Sequence, residues 1–415
     1  MKKINSLIIT RGFPPAEGGI ETYMYQIASK WSLGESEVIC KQTKKDLKIE
    51  KERYKVYRLP SRLTPYWIAF YRILVMLFKK CMNFNLALRY IFVLIINRHF
   101  LKSLYPRLEV LFDYFAGRKE KWIIQASTAI GSGSVGIFGK ILFNYKFIVY
   151  IHGSELIKYQ KRWNYRRFQK FILRNADLII ANSHYTKDLA VNIGIDSIKI
   201  KVINLGAEVS KFYPDNTRSK IYAKYNIPLK NKLILTISHL IPRKGNDMVI
   251  ASLPTILKFV PDLTYLIVGN GFYKDNLRTL VKNYNVESNV KFAGYIQDKE
   301  LADYMNACDI FVMPNRKEGY DVEGFGIVFL EANACKKPVI AGNSGGAVDA
   351  VINGETGYLV DPNSKEDISE KIIKILTDSK LKVTMGDIGY KRIINDLNWK
   401  QVISKIEKEI TKLYD

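Results

Sequence analysis

The sequence of 415 residues is longer than a single hydrophobic core usually organises, and it predicts two domains. Hydrophobic residues make up 47% of the chain and charged residues 25%, a balance that excludes a mainly disordered protein. The four cysteines form no Cys-x-x-Cys pair, which argues against a disulfide framework or a zinc cluster and favours the reducing cytoplasm.

The N-terminus begins as a signal peptide does, with two lysines and an apolar stretch. That stretch ends at Arg11, too early for a secretory segment, so we predict a buried strand over residues 6–10. No run of 18 uncharged apolar residues occurs in the chain, and the sequence therefore predicts no membrane-spanning helix.

The net charge of +24 is concentrated in the first half of the chain. Residues 1–205 contain 35 basic and 14 acidic residues, whereas residues 206–415 contain 29 and 26. The segment 53–108 contains 11 basic residues and no acidic one, interspersed with aromatic residues such as Tyr66, Trp67 and Phe70.

Three interpretations of the segment 53–108 are open. An anionic membrane attracts basic segments, at about 1 kcal/mol per Lys or Arg, and aromatic residues suit its interface. A lysine-rich composition with ordinary buried helices would give the same pattern, and nucleic acid also attracts positive charge. The aliphatic stretches 74–78 and 91–96 favour a membrane surface over a phosphate backbone, so we predict a membrane-facing segment and no nucleic-acid partner.

Short apolar runs alternate with helical patterns along the chain, which predicts α/β architecture with two doubly wound, Rossmann-like domains. The strands predicted for the first half are 6–10, 37–39, 122–126, 147–151, 178–181 and 200–203. Those predicted for the second half are 233–238, 264–268, 290–293, 310–313 and 338–341. The last segment, 397–414, is predicted to be a helix.

The domain boundary is predicted within residues 204–214, which have loop composition. We therefore expect domains over 1–205 and 206–395, with the helical segment 396–415 packing back on the first. Ligands of doubly wound sheets bind beyond the carboxyl ends of the strands. The loops that follow the strands, facing a cleft between the domains, are thus the predicted site.

Two motifs of the first half follow predicted strands. Gly18 and Gly19 precede a helix and would let a phosphate or a sugar approach the backbone. His152 follows strand 147–151, where it could donate to or polarise a substrate hydroxyl. A lone histidine can equally be structural.

In the second half, Arg243 and Lys244 follow strand 233–238 and open a helix, a position that suits a diphosphate. Gly271 belongs to a Gly-Asn-Gly turn after the next strand, and residues 342–347 form another glycine-rich turn. Taken alone these signals are weak, because basic helix starts and glycine turns that merely cap a sheet are common.

The strongest signal is the pair Glu323 and Glu331, separated by seven residues that read as a loop entering a helix. A helix N-terminus offers unpaired N–H groups and partial positive charge to an anion, and Gly324 and Gly326 would allow close approach. The two carboxylates can accept hydrogen bonds from vicinal hydroxyls of a ribose and of a hexose. The alternative is that both are helix-capping acids.

Together these motifs resemble the family-4 retaining glycosyltransferases of the GT-B type, particularly the phosphatidylinositol mannosyltransferases and polysaccharide-assembly transferases. The resemblance extends over nearly the whole chain, and the spaced glutamates are its most specific part, whereas segment 53–108 is its least typical. The motifs that carry it are Gly18-Gly19-Ile20-Glu21, His152-Gly153-Ser154-Glu155, 181–186, Arg243-Lys244-Gly245, 268–271, 323–331, Gly345-Gly346 and Gly354-Glu355-Thr356-Gly357.

The resemblance implies a role for each matching residue. Lys244, with Arg243 beside it, would bind the donor diphosphate, and Glu323 would hold the hydroxyls of the transferred sugar. Glu331 would bind the ribose hydroxyls, and His152 would contact the primary hydroxyl of the sugar. His152, Glu323 and Lys244 are thus the implied catalytic residues. The remaining implied donor contacts come from the backbone of Gly19, Gly271, Ile296, Phe325, Gly326, Ile327 and Val328.

One position departs from the family pattern. The family usually has an arginine five residues before the phosphate-binding lysine, and this chain has His239 there. An imidazole binds diphosphate less strongly than a guanidinium. Either Arg243 compensates, or donor affinity and its pH dependence differ from those of the family.

The implied reaction transfers a hexose, with retention, from a nucleoside-diphosphate sugar to an acceptor hydroxyl. Lys244, Arg243 and the helix amides would offset the charge of the leaving group, so no metal and no cofactor are expected. The sequence contains no Asp-x-Asp pair. GDP-mannose is the favoured donor and a UDP-sugar remains possible. The expected acceptor is a lipid-linked glycan or glycolipid at the cytoplasmic face of the cell membrane.

Three alternatives are open. A soluble glycosyltransferase for a small acceptor would not bind vesicles, and a GT-B-fold nucleotide-sugar epimerase would isomerise its sugar without an acceptor. A nonenzymatic nucleic-acid binder is predicted by charge alone, but it leaves Glu323 and Glu331 without a use.

Overall fold

The computed structural model describes residues 3–14, 18–41, 54–59, 122–160 and 162–415, which form two compact units with one parallel sheet each. The first unit consists of Met1–Asn182, Lys187–Ile203 and Ile403–Asp415, and the second of Ser183–Thr186 and Asn204–Val402. The predicted membrane-facing segment 53–108 lies outside the described residues except for Tyr54–Leu59.

In the first sheet the described residues form seven strands, in the order β3-β2-β1-β4-β5-β6-β7. They are β1 (Asn5–Ile9), β2 (Ser36–Lys41), β3 (Tyr54–Leu59), β4 (Trp122–Ala126), β5 (Lys146–Ile151), β6 (Leu178–Ala181) and β7 (Ile200–Val202). The helices that accompany them are α1 (Gly19–Lys30), α2 (Ser132–Phe143), α3 (Ser154–Lys158), α4 (Trp163–Asn175) and α5 (His184–Asn192).

The second sheet has six strands in the order β10-β9-β8-β11-β12-β13. They are β8 (Lys232–Ile237), β9 (Leu263–Val268), β10 (Val290–Gly294), β11 (Ile310–Met313), β12 (Val339–Gly342) and β13 (Gly357–Val360). The helices of the rest of the chain are α6 (Arg218–Lys224), α7 (Asn246–Phe259), α8 (Lys274–Asn283), α9 (Leu301–Ala307), α10 (Ile327–Ala334), α11 (Ala347–Ala350), α12 (Lys365–Thr377), α13 (Ser379–Asn395) and α14 (Trp399–Thr411).

The central strands are mostly apolar because helices cover both faces of a parallel sheet. Every residue of β1, β4, β9 and β11 is buried. Each unit has its own hydrophobic core, in which side chains such as Phe147 and Ile172 pack in the first and Ile234 and Leu253 in the second.

The strand order reverses at one point in each sheet, between β1 and β4 and between β8 and β11. All the strand pairs are parallel, so the carboxyl ends of the strands in a sheet lie at the same edge. In doubly wound sheets ligands bind at that edge beside the reversal point. The loops after β1, β4, β8 and β11 therefore have the positions expected of site-forming loops.

The eleven strands predicted from the sequence are all present, so the prediction of two doubly wound α/β sheets is confirmed. Two further strands, β3 and β13, were not predicted. The last helix, α14, is three residues shorter at its C-terminus than predicted, and the segment Ile403–Asp415 belongs to the first unit. There the carboxylate of Glu407 accepts hydrogen bonds from Ser32 N at 2.6 Å and Ser32 Oγ at 2.7 Å.

Within the described parts of the chain, no helix has both the length and the apolar character needed to cross a membrane.

Candidate active site

The loops that follow β8 and β11 are joined at the edge of the second sheet. Arg243 and Lys244 lie in a short 3₁₀ turn after β8. Arg316, in the loop after β11, donates a hydrogen bond from its backbone N–H to the carbonyl oxygen of Arg243, with an N–O distance of 2.8 Å. Gly245 ends this turn with a φ of 75°, and a Cβ atom there would lie 2.2 Å from the carbonyl oxygen of Pro314. Only glycine satisfies both conditions, so the sequence at 245 fixes the position of the two cations before it.

Glu323 accepts hydrogen bonds from both of these cations. Arg243 Nη1 lies 2.6 Å and Lys244 Nζ 2.5 Å from the same oxygen, Glu323 Oε2. The three side chains are only 13–14% exposed, and Arg243 Nε lies 3.0 Å from Asp321 Oδ2. The structure thus brings together the residues predicted for the diphosphate and for the sugar hydroxyls.

The Glu323 carboxylate is held in its charged form. Burial opposes ionisation, but Lys244 and Arg243 outweigh it and lower the pKa of Glu323 to about 2. Burial likewise disfavours the charge of Arg243, and Glu323 and Asp321 reverse that effect and raise its pKa. At neutral pH the Glu323 carboxylate and the Arg243 guanidinium are therefore both charged.

Helix α10 begins beside this cluster. Gly326 is its N-cap residue with a φ of 91°, and a Cβ atom there would lie 2.7 Å from the ring of Phe329. Phe329 in turn packs edge-on against Phe311 of β11, with ring centroids 5.8 Å apart. Ile327 and Val328 form the first turn, whose N–H groups have no acceptor within a helix.

Glu331 lies one turn further along α10, and its electrostatic setting is the opposite of that of Glu323. Burial raises the pKa of Glu331 to about 7, and Lys211, which acts against this shift, is itself paired with Asp298 at 2.6 Å. Among the described residues, the structure gives the Glu331 carboxylate no hydrogen-bond donor. Its oxygens are available to the hydroxyls of a ligand.

The other predicted contacts of the second unit lie at the same edge of the sheet. Gly271 follows β9, and a Cβ atom there would lie 2.1 Å from the carbonyl oxygen of Leu240 in the loop after β8. Ile296 follows β10 and is 9% exposed, whereas the side chain of Phe325, before α10, is 1% exposed. His239 is exposed in the loop after β8.

The sequence analysis missed a second ion-pair cluster beside the first. Arg316 donates to both oxygens of Asp247, at 3.0 and 2.9 Å, and to Glu318 Oε1 at 2.6 Å. Asp247 is in the first turn of α7 and Arg316 follows β11, so both come after strands that flank the reversal point. The strand-end rule alone could have found them.

The first unit contains the two other predicted residues, at the corresponding edge of its own sheet. His152 directly follows β5 and is 9% exposed. Its Nε2 lies 2.8 Å from the carbonyl oxygen of Ser127, and its ring packs edge-on at 6.2 Å from Tyr23. Because a carbonyl only accepts, Nε2 bears the proton, which leaves Nδ1 as the acceptor in neutral imidazole. Gly19 is the first residue of α1.

No cluster of three or more His, Cys, Asp or Glu side chains suited to a metal ion occurs among the described residues. The acidic side chains of the Glu323 cluster face Arg243 and Lys244 instead.

Two family models match the chain in tandem. The model "Glycosyltransferase Family 4" matches residues 17–211, and the model "Glycosyl transferases group 1" matches residues 217–392. The first corresponds to most of the first unit and the second to most of the second.

Two curated relatives are mannosyltransferases. A GDP-mannose-dependent α-(1-6)-phosphatidylinositol monomannoside mannosyltransferase of Mycolicibacterium smegmatis is 32% identical over 262 residues, which is 61% of this chain and 67% of the relative. The monoacylated-substrate counterpart of Corynebacterium glutamicum is 37% identical over 198 residues, 47% of this chain and 51% of the relative. The aligned regions thus span about half to two thirds of these relatives.

Solved structures share the whole fold. HepE of Anabaena, in complex with UDP and glucose, superimposes with a TM-score of 0.76 at 20% identity, covering 98% of this chain and 99% of the other. The tandem family models, the relatives and this fold agree: the chain belongs to the family-4 glycosyltransferases of the GT-B type.

Proposed function

We propose that this glycosyltransferase moves mannose, with retention of configuration, from GDP-mannose to a lipid-linked glycan or glycolipid at the cytoplasmic face of the cell membrane. The observation that carries the proposal is the Glu323 cluster at the reversal point of the second sheet, where Arg243 and Lys244 share one carboxylate beside the N-terminus of α10. The two mannosyltransferase relatives use GDP-mannose and act on a phosphatidylinositol mannoside, which supports the donor and the acceptor class.

The cluster suits an activated sugar because it presents fixed charges of both signs. Arg243 and Lys244 are positioned to bind the diphosphate and to offset the negative charge that develops as it leaves. The second oxygen of Glu323 can accept from a sugar hydroxyl, since the bonds from Arg243 and Lys244 both go to Oε2. We assign the amides of Phe325, Gly326, Ile327 and Val328 to the sugar and phosphate.

Glu331 is assigned to the ribose hydroxyls. Its half-buried carboxylate accepts no hydrogen bond from the described residues. Hydrogen bonds from two ribose hydroxyls would offset the free-energy cost of burying it. The backbone of Ile296 is assigned to the base, and Gly271 and Gly19 to the donor phosphates.

His152 is assigned to the primary hydroxyl of the sugar. The Ser127 carbonyl holds its Nε2–H, so the neutral ring presents Nδ1 as a hydrogen-bond acceptor. In the reaction the C–O bond to the diphosphate breaks, and the diphosphate keeps the electron pair. The acceptor oxygen forms the new bond to the same carbon, and its proton passes to the departing diphosphate. With two side-chain cations at the diphosphate, we propose that neither a metal nor a cofactor takes part.

The test is a panel of nucleotide sugars scored by thermal shift, followed by radiolabel transfer to membrane extracts and to small soluble acceptors. GDP-mannose should give the largest shift and label an extractable lipid or lipid-linked glycan. Lys244→Ala should lose the transfer, and Lys258→Ala, which removes an exposed lysine outside the cluster, should keep it. Label only in soluble glycosides, a larger shift with UDP-sugars, or sugar isomerisation without an acceptor would each overturn the proposal.

A further inference from the structure

A second basic segment, outside 53–108, lies next to His152 in the sequence. Residues 156–176 contain seven basic residues and no acidic one. They form α3 and α4, which directly follow β5. Helix α4 is amphipathic: Phe168, Ile172 and Leu173 are buried in the core of the first unit, while Arg162, Arg166 and Arg167 are exposed.

The exposed side of α4 combines these cations with an open aromatic residue. Trp163 is 61% exposed, and Arg167 Cζ lies 4.4 Å from the centroid of its ring. Arg162 lies over Tyr165 at 5.8 Å. Tyr165 stacks on Tyr159, with centroids 5.4 Å apart and an interplanar angle of 9°. These stacking and cation–π contacts join the aromatic rings and guanidinium groups of the surface to one another.

None of the described acidic residues forms an ion pair with the cations on this surface. Within the part of the chain that the structure describes, Lys158, Arg162, Arg166 and Arg167 form no salt bridge. The nearby acid is Glu155, and its carboxylate accepts a hydrogen bond from His152 N at 2.6 Å. The charge of the surface therefore remains available to an external anion.

From these observations we infer that one surface, comprising Lys158, Arg162, Trp163, Arg166 and Arg167 and here called the α4 face, docks on an anionic lipid bilayer. Its positive charge complements anionic headgroups, and a tryptophan among arginines is the composition that settles at the membrane–water interface. The inference rests on the proposed function, because a lipid-borne acceptor needs a docking surface. It gives that surface a location one short helix away from His152.

The experiment measures cosedimentation of the full chain with vesicles of phosphatidylcholine alone and of phosphatidylcholine mixed with phosphatidylglycerol. Each basic residue near an anionic surface is worth about fivefold in partitioning, so R166E/R167E should reduce binding to the mixed vesicles at least about tenfold. Binding of the unaltered chain should fall sharply at about 1 M salt, where surface charges are screened. W163A should weaken binding severalfold both at low salt and at about 1 M salt.

Matched controls separate docking from general charge and folding effects. K258E/K282E reverses two exposed lysines on α7 and α8 that form no salt bridge with any described residue, and F259A removes an aromatic residue that is 64% exposed. Both should bind vesicles as the unaltered chain does, and all variants should melt at similar temperatures. Equal binding by R166E/R167E and K258E/K282E would overturn the inference. So would binding of the unaltered chain to duplex DNA but not to mixed vesicles.

Thermal shift with GDP-mannose keeps this inference distinguishable from the proposed function. If R166E/R167E loses vesicle binding while the unaltered chain responds to no nucleotide sugar, the docking surface is supported and the proposed donor is wrong. If the unaltered chain responds to GDP-mannose while R166E/R167E binds vesicles normally, the donor is supported and the docking surface is wrong.

Discussion

Glu323 and Glu331 are the same residue type eight positions apart, yet their environments drive their ionisation in opposite directions. Both lose solvent on folding, which raises the pKa of a carboxyl. Glu323 is in contact with two cations and its pKa falls to about 2, whereas none of the described cations forms an ion pair with Glu331, and burial raises its pKa to about 7. The partners, rather than the burial, decide the charge of each carboxylate at neutral pH.

The difference suggests a division of labour along one loop and helix. In the Glu323 cluster the carboxylate forms ion pairs with Arg243 and Lys244, which position both cations before a donor binds. The described residues donate no hydrogen bond to the Glu331 carboxylate. Hydrogen bonds from a ligand would therefore offset the free-energy cost of burying this charge, and part of the binding energy would be used in this way. Each of the following predictions tests one side of this comparison.

The largest effect is expected from Lys244→Ala. The variant removes a cation that is in place before charge develops on the diphosphate, and loss of one such group commonly costs about 10²–10³-fold in turnover. We expect kcat/KM for sugar transfer to fall by that factor, and Lys244→Arg to restore part of it. Lys258→Ala is the matched control. Unchanged steady-state kinetics in Lys244→Ala would remove the cluster from the mechanism.

Glu323→Gln should destabilise the protein at neutral pH, because it leaves Arg243 and Lys244 without their carboxylate. The folded pKa of Glu323 is lowered, so its contribution to the free energy of unfolding is present above the unfolded pKa, near 4.5, and is lost as pH falls toward 2. The contribution is on the order of 3 kcal/mol. Urea unfolding at pH 7 should show that difference.

The pH dependence separates this effect from an ordinary packing defect. The difference in unfolding free energy between the native chain and Glu323→Gln should shrink steadily below about pH 4.5. Glu287→Gln alters an exposed glutamate that forms no salt bridge within the described parts of the chain, and it should match the native chain throughout. A destabilisation that is the same at pH 7 and pH 3 would mean that the ion pairs contribute nothing.

Most of the fold could be predicted from the sequence, because strands covered on both faces appear as uninterrupted apolar runs. The two strands that were missed lack this signal. In β3 the residues Lys55 and Arg58 interrupt the pattern, and β13 is only four residues long and begins with Gly357. Both are the outermost of the described strands in their sheets, so each pairs with a described strand on one side alone.

The members of the candidate site could be predicted from strand ends and glycine turns, but their pairing could not. Arg243 and Glu323 are 80 positions apart, and their contact depends on β8 and β11 being neighbours in the sheet. The sequence analysis assigned Arg243 to the diphosphate and Glu323 to the sugar hydroxyls, but it did not predict the ion pair between them. The opposite pKa shifts of Glu323 and Glu331 follow from that tertiary contact and were equally out of reach.

Glu331 should make donor binding depend on pH. Burial raises its folded pKa to about 7, so the carboxylate that accepts from ribose hydroxyls is mostly present at pH 8 and mostly protonated at pH 6. The KM for the donor should therefore rise about tenfold from pH 8 to pH 6. In Glu331→Gln it should be high and should not follow this titration. A flat profile in the native chain would contradict the assignment.

The same variant carries an independent stability signature. Because the folded pKa of Glu331 is raised above its unfolded value near 4.5, the charge of this carboxylate costs increasing stability as pH rises from about 4.5 to about 7, and the cost is constant above that. Glu331→Gln should therefore raise the melting temperature at pH 8 and change it little at pH 5. An improved melting temperature with an unchanged KM would identify Glu331 as a buried acid without a role in donor binding.

The smallest effect is expected from His239→Arg, which introduces the guanidinium that the family resemblance implies at this position. The backbone on either side of His239 is fixed, since Ser238 N donates to Val268 O and Leu240 N to Asn270 O, both at 3.0 Å. The side chain itself is exposed, so an added cation there gains only about 1 kcal/mol, or roughly fivefold in donor KM. His239→Gln is the control for loss of the imidazole.

The double variant shows whether Arg243 already supplies the missing charge. Arg243 is tied to Glu323 and Asp321, so only part of its guanidinium can face a diphosphate. If residues 239 and 243 serve the same phosphate, His239→Arg should lower the KM more in an Arg243→Ala background than in the native chain. Strictly additive effects would mean that the two positions contact different parts of the donor. The hypothesis that Arg243 compensates for the missing arginine at position 239 would then be wrong.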